Sequence, residues 1–136
     1  MSSDRTLRAY ALSLLRFIAG LCFLEHGSAK LLGLPPVAAY AAGPLPPLVL
    51  AAGYIELVGG TLVCLGLLTR PAAFLMSGKM AIGYFLYHAP KSVFPVVNGG
   101  DAAVLYSFIF LFLAAAGGGP LALGRLTPWR PTLLRN

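Results

Sequence analysis

Four long apolar stretches, separated by prolines, most constrain what this chain can fold into. They cover residues 8–31, 48–69, 71–88 and 102–118, and no proline lies in the interior of any of them. A proline inside a helix costs about 3 kcal/mol, so prolines that fall between such stretches mark helix ends. A bilayer crossing takes about 20 apolar residues, and four crossings fit within 136 residues. We therefore expect an all-α fold, a transmembrane four-helix bundle that forms one domain over residues 1–136.

Composition argues against a soluble domain and against a nucleic-acid-binding protein. Only 10% of the residues are charged and 58% are hydrophobic, whereas a soluble domain has about 25% charged residues. The net charge is +6, but the basic residues are scattered among apolar runs instead of forming a basic surface. No charged residue occurs from Ala102 to Gly124, which is typical of a membrane span. The expected partner is the lipid bilayer, with no nucleic acid.

The basic residues also predict the orientation, because cytoplasmic flanks carry the excess of Lys and Arg. With four crossings, only Lys30 and Lys91 fall on the outer side. Both termini are then cytoplasmic, and a multi-pass protein of the inner (cytoplasmic) membrane is expected. The basic residues predicted on the inner side are Arg5, Arg8, Arg70, Arg125, Arg130 and Arg135.

Three of the stretches carry an ionisable residue near the middle, namely Arg16, Glu56 and Lys79. A charge near the bilayer centre costs at least about 2.5 kcal/mol, so each is expected to face a partner or a cavity. A rise of about 1.5 Å per residue places Arg16 and Lys79 about 12 Å from the inner surface and Glu56 about 12 Å from the outer one. We expect Glu56 to pair with Arg16, with Lys79 as a competitor or third member. The pair is either an internal salt bridge that only holds the bundle together or part of a pocket.

Small residues recur at helical spacing along the first two stretches. Gly20 and Gly27 lie on the face of the first helix that carries the buried base, and Gly60 lies on the face of the second that carries the buried acid. Such faces pack closely, so Gly20, Gly27, Gly59 and Gly60 are expected to serve helix packing. The same stripes can join two chains, which makes a homodimer a further expectation.

Polar residues gather where the stretches meet the outer side. Asp101 follows two glycines and is expected to cap the last helix. The two histidines lack the Cys or carboxylate spacing of a metal site, so no metal is expected and haem is disfavoured. Hydrogen bonding to a bound head group is the more natural use of these side chains. The outer group consists of Glu25, His26, Lys30, His88, Asn98 and Asp101.

Several sequence elements occur in a particular order over nearly the whole chain. They are LLRFIAG, LEHGSAKLLG, GYIELVGGTLVCLGLLTRPAA and NGGDAAVLY, followed by a closing GGGP. In this combination the chain resembles the DoxX family of small four-helix membrane proteins. Two positions depart from the family pattern, because Asp101 stands where Glu is common and Lys79 is not part of it. The polar and glycine positions that match are Arg16, His26, Gly27, Lys30, Glu56, Gly59, Gly60, Arg70, His88 and Asn98.

The resemblance implies a link with membrane redox complexes, since the family takes its name from a membrane subunit of a thiosulfate:quinone oxidoreductase. The leading expectation is an accessory subunit that binds a quinone or another lipophilic carrier, or a soluble or membrane oxidoreductase partner. A proton relay would use Glu56 and a histidine, with Lys30 or His26 donating hydrogen bonds to a quinone carbonyl. No cofactor motif is visible, so whether the chain is an enzyme stays open. The alternative is a non-enzymatic scaffold, or a small transporter or binding protein for an anionic or lipid-like solute. The expected pocket residues are Arg16, His26, Lys30, Glu56, Lys79, His88, Asn98 and Asp101.

Overall fold

The computed structural model describes residues 2–126, and every regular element in this range is a helix. A π-helical turn, Tyr84–His88, continues the fourth α-helix, and a 3₁₀ turn, Leu123–Arg125, follows the last. Arg130 and Arg135, predicted on the inner side, lie outside the described residues. The α-helices are α1 (Ser2–Leu32), α2 (Ala38–Ala41), α3 (Pro47–Leu65), α4 (Thr69–Gly83), α5 (Pro95–Asn98) and α6 (Asp101–Ala116).

Prolines locate the helix ends, as their positions predict. Pro47 is the first residue of α3 and Pro95 the first of α5, where a missing N–H leaves no helical hydrogen bond unmade. The segments Ser3–Leu32 and Pro47–Leu65 are long and apolar enough to cross a membrane, and α6 is apolar but shorter. The all-α prediction is confirmed for the described residues, while crossing by all four long helices stays a prediction.

Helices α1 and α3 pack antiparallel, because glycines let the two backbones touch. A methyl group at Gly20 would overlap the backbone of Cys64, and one at Gly27 would overlap the backbone of Leu57. Gly60 lies equally close to the α1 backbone. These glycines already form the contact between α1 and α3 within one chain, so the stripe that favoured a homodimer is occupied by an intramolecular contact.

Helix α4 packs on α6 through a polar pair inside an apolar interface. The Ser77 hydroxyl donates to the carbonyl of Ser107 at 2.8 Å, and the Ser107 hydroxyl donates to the carbonyl of Ser77 at 3.2 Å. Phe23 of α1 meets Phe110 of α6 edge to face with ring centroids 4.5 Å apart. The two helix pairs thereby share one core.

A short turn joins α3 to α4. Gly66 and Leu68 both have positive φ, 73° and 46°, which reverses the chain within three residues. The two helices then meet where Gly59 approaches the sulfur of Met76. The same two helices also border a cavity.

Candidate ligand-binding site

A three-residue ion cluster joins α1, α3 and α4. Glu56 receives hydrogen bonds from both lysines, one carboxylate oxygen from the ammonium of Lys30 and the other from that of Lys79. The Glu56 side chain is 3% exposed, against 10% for Lys30 and 18% for Lys79. We refer to Lys30, Glu56 and Lys79 as the triad; it holds two positive charges and one negative charge.

Aromatic rings lie against both ammonium groups. The Lys30 nitrogen is 5.7 Å from the ring centroid of Tyr40, and the Lys79 nitrogen is 5.4 Å from that of Phe23. Each cation–π contact contributes about 0.5–2 kcal/mol, whereas a charge in the bilayer interior costs at least about 2.5 kcal/mol. The rings therefore stabilise both ammonium groups but add no negative charge, so the triad keeps its excess of one positive charge.

A cavity of about 600 Å³ lies between α3 and α4. Its walls are mostly apolar. They are formed by residues from Leu48 to Ile55 on α3, by residues from Phe74 to Gly83 on α4, and by Leu86 on the π-helical turn. Lys30 and Lys79 line it, while Glu56 lies behind them. The cavity can thus hold an apolar body with a hydrogen-bond-accepting group against the two ammonium groups.

Arg16 is not part of this cluster, so the predicted pair between Arg16 and Glu56 is wrong. The guanidinium, in a residue only 2% exposed, donates instead to backbone carbonyls at the far end of α3. It reaches the carbonyl oxygen of Val63 at 2.6 Å and that of Gly118 at 2.8 Å, and it also bonds those of Cys64 and Leu121. Arg16 thereby caps the C-terminal carbonyls of α3 and holds the chain segment that follows α6.

Helix register explains this error. Gly27 of α1 lies beside Leu57, and Gly20 lies beside Cys64, so Arg16 falls one turn further along, near Gly66. Lys30 is on the other side of Gly27 and comes within reach of Glu56. The sequence gives spacing within each helix, but only the packed structure gives the register between them.

The outer polar residues do not form the single group that the sequence predicts. Asn98 is buried, and its side chain bonds to residues near it in the chain. Its side-chain oxygen accepts a hydrogen bond from the Gly100 N–H at 2.7 Å. Its side-chain nitrogen donates to the Tyr84 hydroxyl at 3.2 Å and to the Ser92 carbonyl at 2.8 Å. These bonds fix the loop that precedes α6 and give Asn98 a structural role.

His88 is the outer histidine that reaches the cavity. Its ring stacks on Tyr84 with centroids 6.1 Å apart, and Nδ1 lies 3.1 Å from the Asn98 carbonyl oxygen. A carbonyl only accepts, so Nδ1 carries the hydrogen and the neutral ring has Nε2 as its acceptor atom. The π-helical turn that contains His88 is a backbone form often found at functional sites.

His26 and Asp101 differ from their predicted places. His26 is exposed on α1, packs edge-on to Phe23 at 6.3 Å between centroids, and lies outside the cavity lining. Asp101 is the exposed first residue of α6, and Gly100 occupies the capping position, so the predicted cap is wrong. Its carboxylate still favours the helix, because negative charge is stabilised in a first turn.

Two lining residues carry no sequence signal of their own. Tyr40 lies in the proline-rich segment before α3, and Gly78 stands on α4 one residue before Lys79. A side chain built at Gly78 meets nothing within 4 Å of its Cβ, because that position faces the cavity.

A family model described as DoxX matches residues 11–89, which is more than half of the chain. The chain belongs to the DoxX family. A curated protein from Haemophilus influenzae with the name "Uncharacterized protein" is 41% identical over 127 residues, covering 90% of this chain and 95% of that protein. No solved structure matches the chain.

DoxX membership places the protein among membrane-associated proteins and associates it with redox processes. The match begins at residue 11, within α1, and ends one residue after the π-helical turn, so it contains the whole triad, Arg16 and His88. Asn98 and Asp101 lie beyond it. The part of this DoxX protein that builds the cavity is therefore largely the part that defines the family.

Proposed function

We propose that this DoxX-family protein binds a lipophilic carrier of the quinone class in the cavity between α3 and α4. It acts as an accessory subunit that holds this carrier for a soluble or membrane oxidoreductase. Its four long helices cross the inner membrane, with both termini in the cytoplasm. The observation that carries the proposal is the apolar cavity of about 600 Å³ with two lysine ammonium groups in its wall.

The cavity has the size and chemistry that such a ligand needs. Small-molecule sites enclose about 300–1,000 Å³ and combine apolar walls with a few placed polar groups. Lys30 and Lys79 each have three N–H donors, and a quinone head offers carbonyl acceptors. Tyr40 and Tyr87 also line the cavity and provide rings against which a head group can pack.

The residues of this chain would bind and orient the head group and keep water from it. A quinone, when bound, supplies the chemistry of carrying electrons and protons within the membrane. Lys30 and Lys79 hold the head at the triad, and Glu56 keeps both ammonium groups in place. His88 supplies an acceptor nitrogen at the outer part of the cavity.

The topology part of this proposal is supported by length and charge. Helices α1 and α3 meet the length and apolarity of a membrane crossing. Arg70, at the start of α4, donates to the carbonyls of Ala114 and Ala115 at the end of α6. That basic end of the helix pair is the side that the excess of positive charge assigns to the cytoplasm.

A pair of substitutions at Gly78 tests the binding site. Gly78→Phe fills the cavity from a position with free space around its Cβ, and Gly78→Ala is the matched control that adds one methyl group. The wild-type protein and Gly78→Ala, purified in mild detergent, are expected to carry quinone, quantified per protein by mass spectrometry. Gly78→Phe is expected to lose most of it while melting at a similar temperature. Equal quinone in all three proteins, or bulk phospholipid alone in the wild type, contradicts the proposal.

A further inference from the structure

We propose that the cavity selects lipophilic acids, bound as monoanions through a carboxylate-like head, over neutral molecules of similar shape. This inference rests on the proposed function for the position of the ligand and adds a second ligand class, a monoanion that competes with the quinone for the same cavity. The occupant is a single-chain acid dissolved in the bilayer. It is argued from the balance of charge, from the donors that remain, and from the size of the cavity.

The charge balance follows from the small number of acids in the chain. All four are described residues, namely Asp4, Glu25, Glu56 and Asp101. Within residues 2–126, Glu56 is the carboxylate that forms ion pairs with Lys30 and Lys79, and no second acid does so. The triad therefore keeps one positive charge at a mostly apolar wall, where a low dielectric weakens its screening.

The ammonium groups also keep unused donors. Lys30 gives one hydrogen bond to Glu56, and the described residues provide it with no second acceptor. Lys79 adds only the sulfur of Met80 at 3.5 Å, a weak acceptor. A carboxylate, whose single negative charge is shared by two oxygens, can accept from both lysines, as Glu56 does on the other side. A neutral ester or ketone of the same shape accepts without balancing the charge.

Size favours one chain over two. The volume of about 600 Å³ is that of a site for a single small molecule. The walls that extend from the triad carry apolar side chains, including Ile82 and Leu86, and suit a hydrocarbon or ring body attached to the head. A two-chain phospholipid presents the same acidic chemistry on a larger body and is the other source that the test separates.

The test compares charge and shape in the full-length protein reconstituted in phosphatidylcholine nanodiscs. Three probes are titrated: a spin-labelled long-chain carboxylic acid, its methyl ester and a short-chain quinone. The variants are Lys79→Gln and Lys30→Gln, each of which leaves the triad neutral. Lys91→Gln is the matched control, because Lys91 is exposed on the outer loop and is not among the cavity residues. Circular dichroism melts establish that each variant is folded.

We expect the wild type and Lys91→Gln to bind the acid at least about tenfold more tightly than its ester. In Lys79→Gln and Lys30→Gln that preference should fall to about equal affinity, with ester binding unchanged. Equal binding of acid and ester by the wild type overturns the inference, and so does a preference that survives in both lysine variants. Displacement of the acid by phosphatidylglycerol at equal mole fraction overturns the single-chain assignment.

The same titrations separate this inference from the proposed function. If the protein binds the quinone and the ester but shows no preference for the acid, the proposed quinone-class carrier stands and the proposed charge selection is wrong. If acid binding depends on Lys30 and Lys79 but the quinone does not bind, the charge selection stands and the proposed quinone-class carrier is wrong. Absence of binding by all three probes removes both.

Discussion

Two regions of this molecule bury positive charge, and they treat it in opposite ways. At the C-terminal end of α3, Arg16 donates hydrogen bonds to the carbonyls of Val63, Cys64, Gly118 and Leu121. In the gap between α3 and α4, two lysines share one carboxylate and adjoin a cavity. The comparison indicates that the number of donors already used, more than burial, separates the structural role of Arg16 from the ligand-binding role proposed for the two lysines.

Arg16→Met should give the largest effect, because it removes four hydrogen bonds to backbone carbonyls, two of them to the segment after α6. We expect a loss of about 4 kcal/mol in the free energy of unfolding. The measurement is unfolding in detergent micelles by titration with sodium dodecyl sulfate, followed by circular dichroism. Arg16→Lys should recover only part of the loss, since an ammonium cannot reproduce the guanidinium fork. A stable Arg16→Met protein that loses ligand binding would move Arg16 into the site.

Glu56→Gln should come next, because it leaves two ammonium groups facing each other across a neutral amide. A loss of about 3 kcal/mol is expected, as when one partner of a buried ion pair is removed. Lys79→Gln should cost clearly less, since the remaining Lys30 and Glu56 form a neutral pair. The same micelle titration measures both variants. Equal losses would show that the triad is balanced by a group not yet assigned to it.

Gly60→Ala tests the close backbone packing of α1 against α3. Its added methyl group would lie within 2.9 Å of the Gly20 carbonyl oxygen and against the Leu24 backbone, so the helices must separate. We expect a loss of about 2 kcal/mol, as for overpacking of a tight core. Thermal melts in detergent provide the measurement. An unchanged melting temperature would mean that α1 and α3 are not held at this distance.

Gly78→Ala, on the open side, should give the smallest effect and the opposite sign. Nothing lies within 4 Å of the added Cβ, and alanine is the better helix former. The expected gain is about 0.5–1 kcal/mol. The contrast with Gly60→Ala in the same melts compares the close packing of α3 on α1 with the open space at the cavity between α3 and α4. A loss at Gly78 as large as that at Gly60 would argue against an open cavity there.

The sequence predicted the helices well, because their ends depend on local chemistry. Proline positions and apolar run lengths set the bounds of α3 and α6 to within a few residues. The main departure is the third stretch, where the α-helix ends at Gly83 and a π-helical turn takes over up to His88. Periodicity alone gives no sign of that change.

The site was predicted less well, because it depends on register between helices. The sequence identified Glu56 and Lys79 as buried charges that need partners, but assigned Lys30 to the outer group. It also gave no sign that the glycine-rich segment after α6 folds back to place the Gly118 carbonyl beside Arg16. Such long-range contacts follow from how the whole chain packs and not from any local pattern.

The rim of the cavity has a consequence for selectivity. Phe74 and Ile82 line the cavity and are 68% and 60% exposed, so in a membrane its opening would be in contact with lipid acyl chains. A molecule that enters exchanges one hydrocarbon environment for another, and its tail gains almost no free energy from leaving the surrounding lipid. Recognition of the proposed ligand would then depend on its head group, with the bilayer as a competing solvent present in large excess.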